Sequence, residues 1–206
     1  MSDALDALTV LSPAELNITQ SVALQTYYWE KKDLASYLRV ARTALALLLR
    51  YADEDTELQG EYEETAARTA FNIASMAWSG WDEAGITIDE DQKLFGLKAA
   101  ELNVELAVKI GMPAERRQNG LWVLGAQRLS HGNVSEARDA FQQQQKLLRE
   151  AGLDEALANS WLAACDVMDG SGTTKVLDSE LAKLSATEEG KQQAGYLHTA
   201  LNVFTK

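Results

Sequence analysis

Two spacings in this sequence have the form of a metal-binding carboxylate pair. Glu61 with Glu64, and Glu136 with Asp139, each set two carboxylates one helical turn apart. An all-helical metal-dependent hydrolase or nucleotide-processing enzyme would need two such pairs facing one divalent cluster, which polarises a phosphoryl oxygen and activates water. The two pairs lie far apart in the chain, and each reads as solvated helix surface. The remaining chemistry-bearing residues are few. His131 and His198 are the only histidines, and neither belongs to a Glu-x-x-His pair, which excludes a ferritin-like di-iron bundle. His131 falls in a turn before Gly132, and no nucleophile stands beside His198 by local spacing. Cys165 is the one cysteine, so it has no disulfide partner within the chain. It sits in the apolar run Trp161-Leu162-Ala163-Ala164-Cys165 and reads as a buried packing thiol. Asp169 to Lys175 has glycines but neither the spacing nor the preceding strand of a phosphate loop. Asp82 to Lys93 lacks the alternating carboxylates of a calcium loop. No catalytic residue, metal ligand or cofactor is assigned.

Charge narrows the partners. The net charge is −12, and a chain this acidic repels nucleic-acid phosphates unless it carries a basic patch. None is present; Arg116-Arg117 is the only adjacent arginine pair. Residues 1–110 carry 19 acidic and 9 basic residues against 12 and 10 in residues 111–206, so the acidity belongs to the N-terminal part. Such a surface either attracts a basic protein or peptide or serves solubility. Met1 to Leu11 has no basic region and contains Asp3 and Asp6, unlike a secretory signal, and no apolar run approaches the ~18 residues of a membrane span. The expectation is a soluble cytoplasmic protein with no nucleic-acid or membrane partner.

The elements that must position any site are helices. With 206 residues the chain suits one domain or one array of stacked units, and only 2 prolines interrupt it. Ser12-Pro13-Ala14-Glu15 has the form of a capping box with proline at the first helical position, opening helix one to about Glu30. Asp33 opens helix two, whose apolar face is Leu34, Leu38, Ala41, Leu45 and Leu48. Seven carboxylates and no basic residue lie in Asp53 to Glu64, where Thr56 and Gln59 form a candidate capping box for helix three. That helix runs through Ala66, Ala70, Phe71, Ile73, Ala74 and Ala77 to Trp78, and its alanines imply close contacts on more than one side. Trp78 to Asp89 breaks the periodicity. Helix four follows to Ile110 with Phe95, Ala99, Leu102 and Leu106 on one face; Gly111 stops it and Pro113 starts helix five. Gly132 divides helices five and six, and Gly152 ends six. Helix seven spans about Asp154 to Met168. Helix eight carries Val176, Leu177, Leu181 and Leu184. Ser185 with Glu188 is a further candidate box, opening helix nine with Ala194, Leu197, Leu201 and Phe204. No strand is expected, and short turns make successive helices antiparallel neighbours.

Within Gln118 to Ala151, Leu121, Leu124, Gly125, Gly132, Ala137 and Phe141 fall at the offsets of a tetratricopeptide repeat, a helix-turn-helix unit of about 34 residues. The stretch resembles that family. Arg128 replaces the usual aromatic late in the first helix, and Arg149 the late proline. The resemblance implies an all-α fold: antiparallel hairpins stacked as a right-handed superhelix, about nine helices forming a single domain over 1–206, with 1–11 a flexible N-terminal segment and the last helix a cap.

It also implies a non-enzymatic protein- or peptide-binding scaffold with a concave groove lined by the first helix of each pair. The basic clamp that some relatives use for a C-terminal carboxylate is missing from Asn119, Trp122, Val123, Ala126 and Leu129. Carrying the register along the chain puts Trp29, Trp78, Trp122 and Trp161 at or beside groove positions, near Phe71 and Asn72. The expected partner site is Phe71, Asn72, Trp78, Trp81, Asn119 and Trp122, aromatic anchors with acidic residues beside Trp81 attracting a basic flank. Taken singly, each tryptophan reads more readily as core packing between alanine-rich helices; several on one face of successive pairs favour the groove. Two alternatives remain: the carboxylate hydrolase above, and a second copy of this chain as the partner.

Overall fold

Nine α-helices and no strand occur among the described residues of the computed structural model, 11–205. The segment expected to be flexible, 1–11, lies outside that range except for Leu11. The chain divides into two compact units: one formed by residues up to Ala77 together with Gly85–Met112, the other by Trp78–Ala84 together with Pro113 onward. In the first unit are α1 (Pro13–Ala23), which continues as a π-helix (Leu24–Glu30), α2 (Leu34–Glu54), α3 (Gln59–Met76) and α4 (Glu90–Lys109). The second holds a 3-10 turn (Ser79–Trp81), α5 (Ala114–Ser130), α6 (Val134–Glu150), α7 (Ala156–Met168), α8 (Thr174–Leu184) and α9 (Glu188–Phe204).

Four of the nine described helices start on a side-chain cap. Ser12 and Glu15 form the expected reciprocal box, the Ser12 amide donating to Glu15 Oε2 at 2.8 Å. Asp33 accepts from the Ser36 amide at 2.9 Å, and Asp89 exchanges bonds with Gln92. Two expected boxes do not form. Thr56 does not cap α3, whose start has no side-chain cap; Asp55, one residue earlier, accepts from the Glu57 and Leu58 amides at 3.0 and 3.1 Å in the turn before the helix. Ser185 does not cap α9; Thr187 does, accepting from the Gly190 amide at 3.0 Å. In both cases a competing oxygen acceptor lay within two residues, and local sequence does not rank such neighbours.

In the first unit α3 touches α1, α2 and α4. Ala66, Ala67, Ala70, Ala74 and Ala77 are fully buried, and their small side chains let the neighbouring backbones come close, as the alanine content implies. Leu34, Leu38, Ala41, Leu45 and Leu48 are all buried on α2. Polar bonds fix the register: Asn103 on α4 donates to the Ala67 carbonyl at 2.7 Å, and Gln20 on α1 bonds to Thr69 on α3. The first helix does not run regularly to Glu30. From Leu24 it widens, the Lys31 amide bonding to the Thr26 carbonyl five residues back at 3.2 Å. Buried Tyr28 then meets Tyr37 edge-on at 6.3 Å.

An ion pair between buried Glu63 and exposed Lys109 joins α3 to α4. Glu63 accepts from Lys109 Nζ and from Gln59 Nε2, each at 2.8 Å. The bond from Lys109 holds the Glu63 carboxyl below the usual carboxylate range, more than offsetting its burial. Because the folded-state value is depressed, the stabilisation is complete above the ordinary unfolded value and is lost as pH falls through the lower folded one. Glu63→Gln is expected to lower stability by roughly 1–2 kcal/mol at neutral pH. It should also flatten the acid limb over that window, as read by urea unfolding at a series of pH values; an unchanged acid limb would mean that Glu63 titrates normally.

In the second unit consecutive helices pack in turn: α5 on α6, α6 on α7, α7 on α8, α8 on α9. The crossing of α5 and α6 is close. A Cβ built on Gly125 would lie 2.5 Å from Phe141 Cε1 and 2.6 Å from Cζ, and Phe141 and Ala137 are fully buried. The repeat spacing makes Gly125 and Ala137 the close-contact positions of this pair; in the structure both lie at the crossing, and the atoms nearest Gly125 are those of Phe141. Val176 on α8 faces solvent, while Leu177, Leu181 and Leu184 are buried. Gly125→Leu is expected to destabilise by about 1–3 kcal/mol or more through overpacking. Exposed Gln143→Ala is the control, and equal unfolding midpoints for the two would sink the assignment.

Candidate functional site: an aromatic cluster in the second unit

Trp78 is the hub. The residue follows α3 in extended conformation, and its indole N–H donates to the Ala126 carbonyl on α5 at 2.8 Å. Its ring meets Trp81 at 4.9 Å, Trp122 at 5.6 Å, Trp161 at 6.0 Å and Phe204 at 6.2 Å, the first three edge-on. Edge-to-face contact sets the positive rim of one ring against the negative face of the next. The turn beneath depends on Gly80, where a Cβ would sit 2.2 Å from the Trp78 ring. Ser79 adds a hydroxyl bond to Ser130 at 3.1 Å. Phe141 stacks on Trp161 at 5.3 Å, which links the cluster to the Gly125 crossing. At its edge Trp81 meets Tyr196 on α9 at 5.0 Å.

Burial separates the expected site residues. Trp78 is 1% exposed and Trp122 8%, so their faces are turned to other rings rather than to solvent. Trp161 is 2% exposed. The buried indole N–H groups of Trp122 and Trp161 meet no acceptor among the described residues. Trp81 is half-buried. Asn119 is exposed on α5 and accepts from Gln118 at 2.5 Å. Phe71 and Asn72 are half-buried on α3 in the first unit. The structure therefore gathers Trp78, Trp81 and Trp122 and adds Tyr196 and Phe204. Tyr196 carried no signal in the sequence, because its contact with Trp81 spans more than a hundred residues.

The titratable groups are committed elsewhere. Arg138 on α6 bonds Asp166 at 2.9 Å and Asp169 at 2.5 Å, tying α6 to the end of α7. Bonds from Ser171, then from Arg138, bring the Asp169 carboxyl down to about 2. Burial pushes the Cys165 thiol up to about 12, so it stays protonated and unreactive at neutral pH. Of the carboxylate pairs, Glu64 pairs with Arg68 at 3.4 Å and Glu136 with Arg128 at 3.7 Å, both on the surface. Among the described residues no three His, Cys, Asp or Glu side chains are grouped to hold a metal ion. No helix among them is long and apolar enough to cross a membrane.

No family model matches this chain, and neither a curated protein nor a solved structure matches it significantly.

Trp78→Ala removes the ring that four others touch and the 2.8 Å indole bond to the Ala126 carbonyl, so a loss of about 3–5 kcal/mol is expected. Trp81→Ala, at the half-exposed edge, should cost clearly less. Chemical denaturation of both variants tests this ordering; equal losses would mean that Trp78 is not the hub.

Proposed function

We propose that the chain is a non-enzymatic, tetratricopeptide-like scaffold that holds a protein or peptide in the cytoplasm. The observation that carries this reading is the α5–α6 pair. Gly125 lies under Phe141, Ala137 is fully buried, and the turn falls at Gly132 with φ 73°, which agrees with the register of such a repeat. Sequential packing of α5 to α9 supports it further.

The burial pattern refines which residues would meet a partner. Trp78 and Trp122 act as a fixed backing. Trp81 is the accessible ring, held between Trp78 and Tyr196 so that little side-chain entropy is lost on binding. Asp82 and Glu83 follow it directly and would attract a basic flank. Within the second unit Asn119 on α5 is exposed as well.

Selection from a random peptide library against the full chain tests the proposal. Enriched peptides should carry Lys or Arg and bind Trp81→Ala at least about tenfold more weakly, a loss of ~1.4 kcal/mol, while the variant's helical circular dichroism is unchanged. No enrichment, or undiminished binding to Trp81→Ala, would sink the reading. A melting midpoint raised by magnesium or manganese would favour the carboxylate hydrolase instead, since a ligand held only by the folded state stabilises it.

A further inference from the structure

A cleft of about 250 Å³ opens in the first unit between α2 and the start of α4, two helices that each pack on α3. Its α2 wall is Ala35, Leu38, Arg39 and Arg42, one helical face at spacings of three and four. Asp89, Asp91 and Gln92, at the capped start of α4, form the other wall. Cations therefore line one side and carboxylates the other. Among the described residues Arg39, Arg42 and Asp91 form no ion pair. Arg42 is nonetheless held in place: its guanidinium carbon lies 4.2 Å from the centre of the Phe95 ring. That stacking uses the flat face of the fork and leaves its N–H edge for a ligand. Asp89 spends one carboxylate oxygen on the Gln92 amide at 2.8 Å. The other charges close by are taken and do not line the cleft. Glu90 pairs with Lys93 at 2.7 Å, and Asp33, which also feels Arg39, accepts from the Ser36 amide at 2.9 Å.

We propose that this cleft binds a small zwitterion, its carboxylate held by Arg39 and Arg42, its ammonium by Asp89 and Asp91, and its spacer laid over Ala35 and Leu38. The two-signed lining selects the class. A plain anion would bond the arginines but face the aspartates across the cleft, and a plain cation would meet the reverse; only a ligand carrying both charges is favoured at both walls. A guanidinium fork and a carboxylate match geometrically, and such charge-assisted bonds are the strong ones. The cleft is smaller than the roughly 300–1,000 Å³ that holds a drug-sized ligand, so the spacer is short. All seven lining residues belong to the first unit and the Trp81 ring to the second, so this proposal and the peptide-binding reading fail separately.

The probes are β-alanine, γ-aminobutyrate and ε-aminocaproate, which carry the same two charges on spacers of increasing length. Butyrate and butylammonium, each with one of the charges, are the controls. Binding to the isotope-labelled full chain is followed by amide chemical shifts. The best of the three zwitterions should bind with a Kd of about 1 mM or tighter, and either control at least about tenfold more weakly. Shifts should be confined to residues 35–42 and 89–92. Arg39→Gln and Asp91→Asn change exposed side chains. Each should weaken the best zwitterion several-fold without moving the melting midpoint, whereas Trp81→Ala should leave it unaffected. Raising salt from roughly 0.05 to 0.5 M should weaken binding as the charges are screened. The absence of shifts in both segments with all three zwitterions overturns the proposal. So does butyrate binding as tightly as the best zwitterion, which would make this an anion site of the arginines alone, or butylammonium doing so, which would leave only the aspartates. Binding unchanged in both variants would be adventitious and overturns it too.

Discussion

The bond from the Trp78 indole to the Ala126 carbonyl is the constraint on which the second unit depends. Trp78 is the second residue after α3, and its seven-residue segment belongs by contact to helices that begin more than thirty residues later. A ring this large lowers the free energy when buried, but burial alone does not set its angle. The indole donor does, because a buried N–H left without an acceptor would cost about 1–3 kcal/mol. Ala126 lies one residue after Gly125, so the same turn of α5 that admits Phe141 also receives Trp78. The edge-on contacts with Trp81, Trp122 and Trp161 follow from that orientation.

The two units use different means to the same end. In the first, α3 achieves close approach on several sides with fully buried alanines, and specificity comes from polar bonds such as Asn103 to Ala67. In the second, large rings fill the space and one glycine makes room for Phe141. Alanine-lined contacts gain little apolar area per residue, so register there rests more on satisfied polar groups. Glu63 belongs to this logic: a buried carboxylate is tolerable because Lys109 and Gln59 both donate to it.

What the sequence made legible was local. The apolar periodicity of α2 and the boundaries at Ser12, Asp33, Asp89 and Gly132 depend on residues within a turn or two of each other, and the structure has them. The close crossing at Gly125 was also legible, because the tetratricopeptide-like spacing encodes a hairpin within one short stretch, but that spacing pointed to Ala137 and not to the Phe141 ring that Gly125 meets. Less so were choices between neighbouring acceptors, such as Asp55 over Thr56, and the π-helical widening at Leu24, which no proline or glycine announces. Least legible was the aromatic site. Trp78, Trp122 and Trp161 look alike as sequence whether they line a groove or fill a core. The difference is made by partners as distant in the chain as Ala126 and Phe204.

That ambiguity has a physical root. Tryptophan combines the largest apolar area with a polar edge, so the features that suit it to a binding surface also suit it to a core with one buried acceptor. Exposure decides between them, and it reassigns the tryptophans rather than removing them from the argument. Trp78 becomes the support, Trp81 the ring whose face is partly open, and Trp29 an outward residue on a helix whose inner face is already occupied.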